Sequence, residues 1–466
     1  MKKIGRLKTY TSKEIENAFV GIGFETLDRE MFRPEMCYEP LSRTGVKYAR
    51  CQTGWKRTET KKGVYDFKWL DDVVDNLIAV GVEPWFNVGY GNPLYMDDIP
   101  NEYAIGCVPF YYTEETLEAW KNYVKAMADH FAGRVRDFEI WTEPDLDGHW
   151  FWYPRERNAP DYAQLVMLTG GIIRKAVPNA RIGANIAHIE NLEYTKEMAD
   201  HLNPSDIDFV SYHYYSRTPE SPFFEMNIGP FKKIFSDRGF KVEFWQGEGG
   251  FPSWVYAGHY LAHEGTDSER GQAIWHLRRF FNDFSYGATR YSFFQMADMW
   301  EKTYKTAAST IEKPAAYGIL NGKTYTKKKS CETISYMAAL LCGNTEPADI
   351  PFSGYIKDPE GSKAIWAYQQ TSAKYLSFKK NGKPFFVYYT PGSITNEEAE
   401  EQEFAAYVYA DIEDPVVIDT YTGEVFDISE NPKEYRSAWK ATVYRDLVIR
   451  DYPMIICDKS IFEIIE

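Results

Sequence analysis

The chain has 466 residues, of which 44% are hydrophobic and 26% are charged, and its formal net charge at pH 7 is -15. At this length we expect one large domain and a smaller one, and no apolar stretch approaches the roughly 20 residues that a membrane-spanning helix needs. The acidic balance argues against nucleic acid as a partner, because a negative surface repels phosphate backbones.

Up to residue 346, short apolar runs alternate with longer helical patterns. Strands are predicted at residues 19–24, 45–51, 81–88, 135–143, 180–186, 207–215, 241–248 and 288–295. The segments between them carry apolar residues three and four positions apart and often end in Gly, which indicates helices. This α/β alternation is typical of a (β/α)8 TIM barrel, which we predict at residues 19–346. An open doubly wound sheet is the alternative, but GIGFET lacks the third glycine of a dinucleotide-binding fingerprint.

Residues 347–466 have a different pattern, in which short β-type runs are separated by turn residues. The runs are AIWAYQQ, KYLSFKK, PFFVYYT, FAAYVYA, PVVIDTYTGEVFDI and DLVIRDYPMIIC. Almost no helical periodicity remains, so we predict a β-sandwich accessory domain that follows the barrel. The N-terminal segment, residues 1–18, could add a strand to that sandwich.

The cysteines and histidines give no sign of a metal site. Six Cys are dispersed without CxxC or CxxH spacing, and the eight His show no HxH spacing. We therefore expect no metal and no cofactor. The N-terminal sequence MKKIGRLKTYTSKEIENAF lacks the apolar segment of a signal peptide. This predicts a cytoplasmic protein, although a secreted protein whose leader had been removed would look the same.

Two of the predicted strands end on glutamate. The fourth ends at Glu143 in FEIWTEPD, and the seventh ends at Glu248 in KVEFWQGEGG. Barrel enzymes place their chemistry at the C-terminal ends of the strands, and strands four and seven face each other across the mouth. Two opposed carboxylates are the minimal equipment for glycoside hydrolysis. Either glutamate alone could form a salt bridge or cap a helix, and it is the pairing that favours catalysis.

These motifs carry a resemblance to a known family. WTEPD resembles the WNEP signature of the clan A retaining glycoside hydrolases, in which this Glu is the general acid/base, and Glu248 matches their strand-seven nucleophile. Within the clan the sequence is most similar to family 39, which contains β-xylosidases and α-L-iduronidases. The residues that carry this similarity are FEIWTEPD, VSYHYYS, GVKYARCQTGW followed by YDFKWLD, and KPAAYG. The similarity covers roughly residues 19–343.

The resemblance implies a retaining mechanism by double displacement and an exo-acting β-glycosidase of the β-xylosidase type. One position departs from the clan pattern, because Thr142 stands where the clan has Asn. Thr lacks the amide that would donate to the sugar 2-hydroxyl. We therefore interpret Thr142 as a determinant of sugar preference.

Further substrate-binding candidates lie at or just beyond the predicted strand ends. They are Arg50, Gln52, Trp55, Asn92, His213, Tyr215, Trp245, Gln295 and Trp300. Arg50 and His213 are expected to orient Glu248 and favour its ionised form, with Tyr215 as a second candidate for that contact. The alternative for Arg50 is an ion pair with Glu139. The aromatic and amide side chains could contact a sugar, but each could instead pack in the core.

The predicted partner is a carbohydrate substrate, whose sugar and linkage the sequence leaves open. A transglycosidase or phosphorylase would use the same carboxylate pair with an acceptor other than water. A non-catalytic carbohydrate-binding barrel is a further alternative. The dispersed histidines argue against a metal-dependent barrel hydrolase. Homo-oligomerisation stays open.

Overall fold

The computed structural model describes residues 1–148, 150–254, 268–299, 304–305, 310–311, 316–356, 373–392, 394 and 401–466. A closed barrel of parallel strands and two antiparallel sheets account for most of the strands in these residues. A short hairpin, β10 (Tyr304–Lys305) and β11 (Thr310–Ile311), belongs neither to the barrel nor to these two sheets.

Eight parallel strands form the barrel, in the order in which they follow one another along the chain. They are β2 (Val20–Gly23), β3 (Tyr48–Gln52), β4 (Glu83–Val88), β5 (Asp137–Ile140), β6 (Arg181–Ile186), β7 (Phe209–His213), β8 (Glu243–Gly249) and β9 (Arg290–Phe293). The ring closes where Val20 of β2 pairs with Tyr291 of β9. Each strand overlaps a run predicted from the sequence, so the predicted (β/α)8 fold class is confirmed.

Helices surround the barrel because their apolar faces pack against the strands. They are α1 (Tyr38–Ser42), α2 (Trp55–Thr58), α3 (Lys68–Ala79), α4 (Glu114–Phe131), α5 (Ala159–Ala176), α6 (Leu192–Asp200), α7 (Pro222–Ser236), α8 (Glu269–Ser285) and α9 (Lys329–Leu341). Helix α4 begins at a capping box formed by Thr113 and Thr116. The last barrel helix ends at Leu341, and Gly343, two residues later, adopts the left-handed backbone that favours glycine. Within the described residues, no helix combines the length and the apolar character that crossing a membrane requires.

The C-terminal region forms two antiparallel sheets, which pack as a sandwich. The larger contains β12 (Thr345–Pro347), β14 (Lys374–Lys380), β15 (Lys383–Tyr389), β21 (Met454–Asp458), β17 (Pro415–Asp419), β18 (Glu424–Asp427), β1 (Lys2–Leu7) and β22 (Ile464–Ile465). The smaller contains β13 (Phe352–Ile356), β16 (Gln402–Val408), β20 (Ala441–Ile449) and β19 (Lys433–Arg436). The predicted strand AIWAYQQ lies outside the described residues. The N-terminal strand β1 pairs with β18 and β22 in the larger sheet.

Helix α8 joins the barrel to the sandwich. Arg270 of α8 forms an ion pair with Asp451 at 2.9 Å. The ring of Phe281, also on α8, lies 5.8 Å from that of Phe378 in β14. Since α8 follows β8 in the chain, the strand that carries Glu248 leads into the helix on which the sandwich rests.

The lower part of the barrel interior is filled by three aromatic rings. Trp85, Phe209 and Trp245 form a buried cluster, in which the Phe209 and Trp245 rings stack with centroids 3.6 Å apart. A Cβ added at Gly183 would lie 2.0 Å from the Phe209 ring, so glycine is required there to make room. The Arg50 guanidinium lies 5.9 Å from the Trp85 ring. Between this level and the mouth, polar side chains occupy the barrel interior.

Candidate active site

The two glutamates meet at the mouth of the barrel. The structure gives each of Glu143, His213 and Glu248 a ligand atom within 4.8 Å of those of the other two, so carboxylate oxygens of the two glutamates lie within that distance. Their side chains are 13% and 14% exposed. The side chains of Arg50, Glu139 and His213 are at most 1% exposed. Within this cluster a ligand could therefore reach the two glutamates but not the groups that hold them.

The backbone at Glu143 is held in an uncommon conformation. Strand β5 ends at Ile140, three residues earlier than the sequence suggested, and Trp141 and Glu143 have φ values of 67° and 46°. Residues other than glycine seldom adopt this left-handed region, so the surroundings must hold it in place. The Glu143 N–H donates to Asn185 Oδ1 at 2.6 Å. Asn185, which sequence reasoning did not select, thus fixes the position of this residue.

A bulge in β8 places Glu248. Tyr212 pairs with Gln246 and His213 pairs with Glu248, so Gly247 is the extra residue between the two pairs. A Cβ at Gly247 would lie 1.9 Å from Ser211 Oγ, so only glycine fits. A strand without this bulge would turn Glu248 to the other face.

Each carboxylate oxygen of Glu248 accepts a hydrogen bond. Arg50 Nη1 donates to Oε2 at 3.0 Å, and the Tyr215 hydroxyl donates to Oε1 at 2.7 Å. Arg50 and Tyr215, two of the three residues expected near this carboxylate, therefore contact Glu248. Two donors of this kind favour the ionised carboxylate and fix its direction.

Arg50 also binds two other buried carboxylates. Its Nε and Nη2 atoms donate to Glu139 at 2.7 and 3.1 Å, and Nη1 donates to Glu25 at 2.5 Å. Both roles considered for Arg50, orienting Glu248 and pairing with Glu139, therefore occur together. Although burial opposes its charge, these carboxylates hold the pKa of Arg50 well above its ordinary value.

The pKa values of Glu25 and Glu139 shift in opposite directions beside the same arginine. Burial raises the pKa of Glu25 to about 8, with Arg50 opposing the shift and Glu248 adding to it. Burial would also raise the pKa of Glu139, but Arg50 and His213 outweigh it and hold that pKa below its usual range. Glu25 follows β2 by two residues, so the strand-end rule that selected Glu143 could also have found it.

His213 lies between the two glutamates and is closer to Glu143. Its Nδ1 atom is 2.9 Å from Glu143 Oε1 and 3.7 Å from Glu248 Oε2, although the sequence suggested a position beside Glu248. Its Nε2 atom lies 2.9 Å from Asn185 Nδ2. Burial alone would lower the pKa of His213, but Glu248, Glu139 and Glu143 outweigh it and raise the pKa to about 10. At neutral pH this imidazole is therefore a cation.

The raised pKa of His213 predicts a pH dependence of stability. Below the ordinary value of 6.5 the histidine is protonated in both the folded and the unfolded chain, and its full stabilising contribution is present. That contribution is lost as pH rises from 6.5 to about 10, because the folded chain then holds a proton that the unfolded chain has released. Urea unfolding followed across this range should show a steeper fall for the wild type than for His213→Gln. The exposed His188 provides the control, and a His188→Gln variant should fall as the wild type does.

Thr142 is buried, and its hydroxyl is already bound. It donates to Asn87 Oδ1 at 2.8 Å, and the Asn87 amide nitrogen donates to the Trp141 carbonyl at 2.6 Å. Thr142 is 2% exposed, so the hydroxyl holds the turn that carries Glu143. A direct part in choosing the sugar stays a prediction.

A Thr142→Val variant should be less stable by about 1–3 kcal/mol, since it leaves Asn87 Oδ1 buried without a donor. Thr142→Ser keeps the hydroxyl and should lose much less. Chemical denaturation of both variants measures the difference. Equal stability of the two would show that the Asn87 bond contributes nothing.

The positions of several other candidates argue against direct contact with a sugar. Trp55 is fully buried between the rings of Tyr95 and Tyr123, each 5.6 Å away. Trp245 lies in the aromatic cluster below Arg50. These positions correct the predicted stacking on sugar, because distance from the mouth cannot be judged from a strand end alone.

The amide candidates are buried too. Asn92 donates to the Glu59 carbonyl and accepts from the Leu94 N–H, both at 2.9 Å. Gln52 accepts from the Thr26 N–H at 3.0 Å and donates to the Tyr90 hydroxyl at 3.0 Å. These bonds correct the predicted roles of Asn92 and Gln52, since both amides are committed to their own loops.

Two candidates remain without an assigned contact. Both amide atoms of Gln295 are buried and have no hydrogen-bond partner among the described residues. Trp300 lies outside the described residues. Their predicted contacts with substrate stay predictions.

Glu143, His213 and Glu248 could also be considered as cation ligands, since each offers an atom within 4.8 Å of the others. A metal ligand must be a neutral imidazole, whereas the pKa of His213 is raised to about 10 by the surrounding carboxylates. A cation would have to displace that proton at neutral pH. The cluster therefore suits acid–base chemistry better than metal binding.

Comparison with known proteins agrees with this geometry. Residues 29–227 match the model of the family described as Glycosyl hydrolases family 39. A curated β-xylosidase from Geobacillus stearothermophilus is 25% identical over 182 residues, which cover 35% of this chain. The match spans 33% of that enzyme's length.

Solved structures share the fold over nearly the whole chain. A monomeric β-xylosidase from Caulobacter crescentus CB15 superposes with a TM-score of 0.58 and 15% identity, covering 98% of this chain and 97% of that one. A GH39 enzyme from Xanthomonas axonopodis pv. citri gives 0.57 and 13%, covering 96% and 94%. At these identities the likeness concerns the fold.

A closed (β/α)8 barrel with opposed glutamates after its fourth strand and on its seventh is the arrangement that the resemblance to clan A glycoside hydrolases implies. The chain is similar to glycoside hydrolase family 39, whose model matches residues 29–227. The recognition made from WTEPD and WQGE is therefore confirmed.

Proposed function

We propose that the protein is a retaining glycoside hydrolase that works by double displacement, as an exo-acting β-glycosidase of the β-xylosidase type. The observation that carries the proposal is the spacing of Glu143 and Glu248, whose carboxylate oxygens lie within 4.8 Å of one another. Carboxyl groups about 5–5.5 Å apart accompany retention, whereas inversion needs about 6.5–9.5 Å so that a water fits between one carboxylate and the sugar. The spacing supports retention.

In the first step Glu248 acts as the nucleophile. One of its oxygens bonds to the anomeric carbon, while the bond from that carbon to the leaving oxygen breaks and the leaving oxygen takes a proton from Glu143. Arg50 and Tyr215 each donate to a different oxygen of Glu248, which supports its ionised state. Glu143 itself carries the proton that leaves with the aglycone, and His213, whose Nδ1 lies 2.9 Å from Glu143 Oε1, keeps its own.

In the second step a water attacks the glycosyl-enzyme. Glu143, now a carboxylate, removes a proton from that water, the new bond forms at the anomeric carbon, and the ester to Glu248 breaks. His213 supports this state as well, because a cation beside Glu143 favours the carboxylate that acts as base. Each half-reaction inverts the anomeric carbon once, so the product keeps the starting configuration.

The β-xylosidase type is proposed because two of the three proteins described above, those from Geobacillus stearothermophilus and Caulobacter crescentus, carry that name. The two glutamates act on the glycosidic bond in any sugar, so their geometry does not identify the sugar. The sugar must therefore be read by other groups around the mouth, and substrate identity needs a direct test.

A panel of 4-nitrophenyl β-glycosides, together with NMR of the first anomer released, tests this proposal. We expect the β-xyloside to be the best substrate, β-xylose to appear first, and xylo-oligosaccharides to shorten one unit at a time. Release of α-xylose first would refute retention. Binding of sugars without turnover of any aryl glycoside would favour the carbohydrate-binding barrel, and dominant transfer to an added sugar would favour a transglycosidase.

A further inference from the structure

The smaller sheet of the sandwich carries a cleft far from the catalytic pair in sequence. The cleft has a volume of about 450 Å³ and is lined by Ser353, Gly354, Tyr355, Tyr407, Tyr409 and Trp439. We call it the aromatic cleft. All its lining residues come from β13, β16 and the segments next to β16 and β19, so the sandwich alone builds it.

The aromatic cleft lies on the face of the smaller sheet that points away from the sandwich core. Phe352 of β13 packs against Phe386 of the larger sheet at 5.0 Å, and Phe404 of β16 packs against Tyr388 at 4.7 Å. Successive side chains in a strand point to opposite faces. Tyr355, an odd number of residues from Phe352, therefore faces outward.

Three rings of the cleft form a continuous row. The Tyr355 and Tyr407 centroids are 6.1 Å apart, and those of Tyr407 and Trp439 are 5.7 Å apart. Trp439 is 52% exposed. Leaving half of a tryptophan in water forgoes stabilisation that burial would supply, so packing within the described residues does not account for its position.

Charged side chains lie along the edge of this row of aromatic rings. Arg445 donates from Nη1 to the Tyr355 hydroxyl at 2.5 Å, and Glu434 pairs with Arg436 at 2.8 Å and with Arg445 at 3.4 Å. The Arg436 guanidinium lies 5.9 Å from the Trp439 ring. Each guanidinium has five N–H donors, more than the contacts named here use.

We propose that the aromatic cleft binds a neutral carbohydrate chain, at a site separate from the catalytic pair. Tyrosine and tryptophan rings pack against the apolar face of a sugar, while guanidinium and carboxylate groups at the edge hydrogen bond to its hydroxyls. Both signs of charge stand at the rim and are paired with each other, which suits a neutral ligand better than an ionic one.

The size and composition of the cleft favour this occupant over a protein. A volume of about 450 Å³ lies within the range of roughly 300–1,000 Å³ seen for small-ligand sites. A stable protein interface buries about 1,200–2,000 Å² and has a core depleted of charge. The inference goes beyond the proposed function, since the cleft could hold a sugar chain even if the barrel hydrolysed none.

Affinity electrophoresis of the full chain in gels containing soluble β-1,4-xylan, mixed-linkage β-glucan or galactan tests the proposal. All proteins carry Glu143→Gln, so that the polymer is not degraded during the run. We expect at least one of these polymers to retard the parent protein, and Trp439→Ala and Tyr407→Ala to weaken that retardation roughly tenfold, about the worth of one aromatic contact.

Tyr435→Ala is the matched control. Tyr435 is 63% exposed on β19, next to Glu434 and on the opposite face of the strand, outside the cleft, so its loss should leave retardation unchanged. Turnover of a 4-nitrophenyl glycoside by Trp439→Ala with Glu143 intact should equal that of the wild type, which separates the cleft from the catalytic pair.

Three results would overturn the proposal. They are retardation of Trp439→Ala equal to that of its parent, no retardation of the parent by any of the three polymers, and a change in oligomeric state of Trp439→Ala on size-exclusion chromatography. The last would identify a second copy of the chain as the occupant. Failure of the proposed hydrolase function would appear instead in the aryl-glycoside assay.

Discussion

A Glu248→Ala variant should lose about 10⁴-fold or more in kcat/KM on 4-nitrophenyl β-glycosides, because the atom that bonds to the anomeric carbon is gone. The groups that hold it would remain, with Arg50 and Tyr215 left facing a space of carboxylate size. Added azide could enter that space and attack the same carbon in a single displacement. We therefore expect partial rescue by azide, with an α-glycosyl azide as the product.

The control for this variant lies at the other end of the same strand. Glu243 has a side chain that is 43% exposed and pairs with Arg181 at 2.7 Å, remote from the mouth. Glu243→Gln should turn over substrate at the wild-type rate. Activity of Glu248→Ala within a few-fold of wild type would remove Glu248 from the mechanism.

The second large effect is expected at Glu143 and should depend on the leaving group. Glu143→Ala removes the proton donor, so alkyl and natural glycosides should react about 10²–10⁴-fold more slowly. A 2,4-dinitrophenyl glycoside needs little protonation to depart, so its first step should hardly change. The glycosyl-enzyme should then accumulate, because no base activates the water of the second step.

Azide distinguishes the two glutamates. It needs no general base, so it should accelerate release from the Glu143→Ala intermediate and give a β-glycosyl azide, the anomer opposite to that from Glu248→Ala. Asp147→Asn is the control, since this side chain lies in the same loop and is 77% exposed. Equal loss on good and poor leaving groups would contradict an acid/base role for Glu143.

The barrel could be predicted because its strands are largely buried on both faces and are therefore rich in apolar residues. A strand such as ARIGANI lies between the barrel interior and the helices, so it reads as a continuous apolar run. Strands β13 and β19 were not predicted. Their sequences, FSGYI and KEYR, are short and partly exposed, and the second has three charged residues of four. These segments are strands because they pair with neighbouring strands. A pattern within a single sequence does not show that pairing.

The reactive pair was predictable and much of its support was not. Glu143 and Glu248 lie near the C-terminal ends of predicted apolar strands, and strand order alone puts them across the mouth. Asn185 reaches the Glu143 backbone from the next strand, a contact set by the register of β5 and β6. Trp245 precedes Glu248 by only three residues, yet it lies a layer lower. The bulge at Gly247 lets both side chains face inward although they are an odd number of residues apart.

The position of β1 affects the order in which the protein can assemble. It pairs with β18 on one side and with β22 on the other, so the larger sheet joins strands that precede and follow the barrel in the chain. During synthesis the barrel residues emerge before either partner of β1 does, so β1 cannot pair until the strands of the sandwich have been made. Until then β1 offers unpaired backbone groups to other chains. Nascent chains that stall within the sandwich should therefore aggregate through β1, although their barrels are complete.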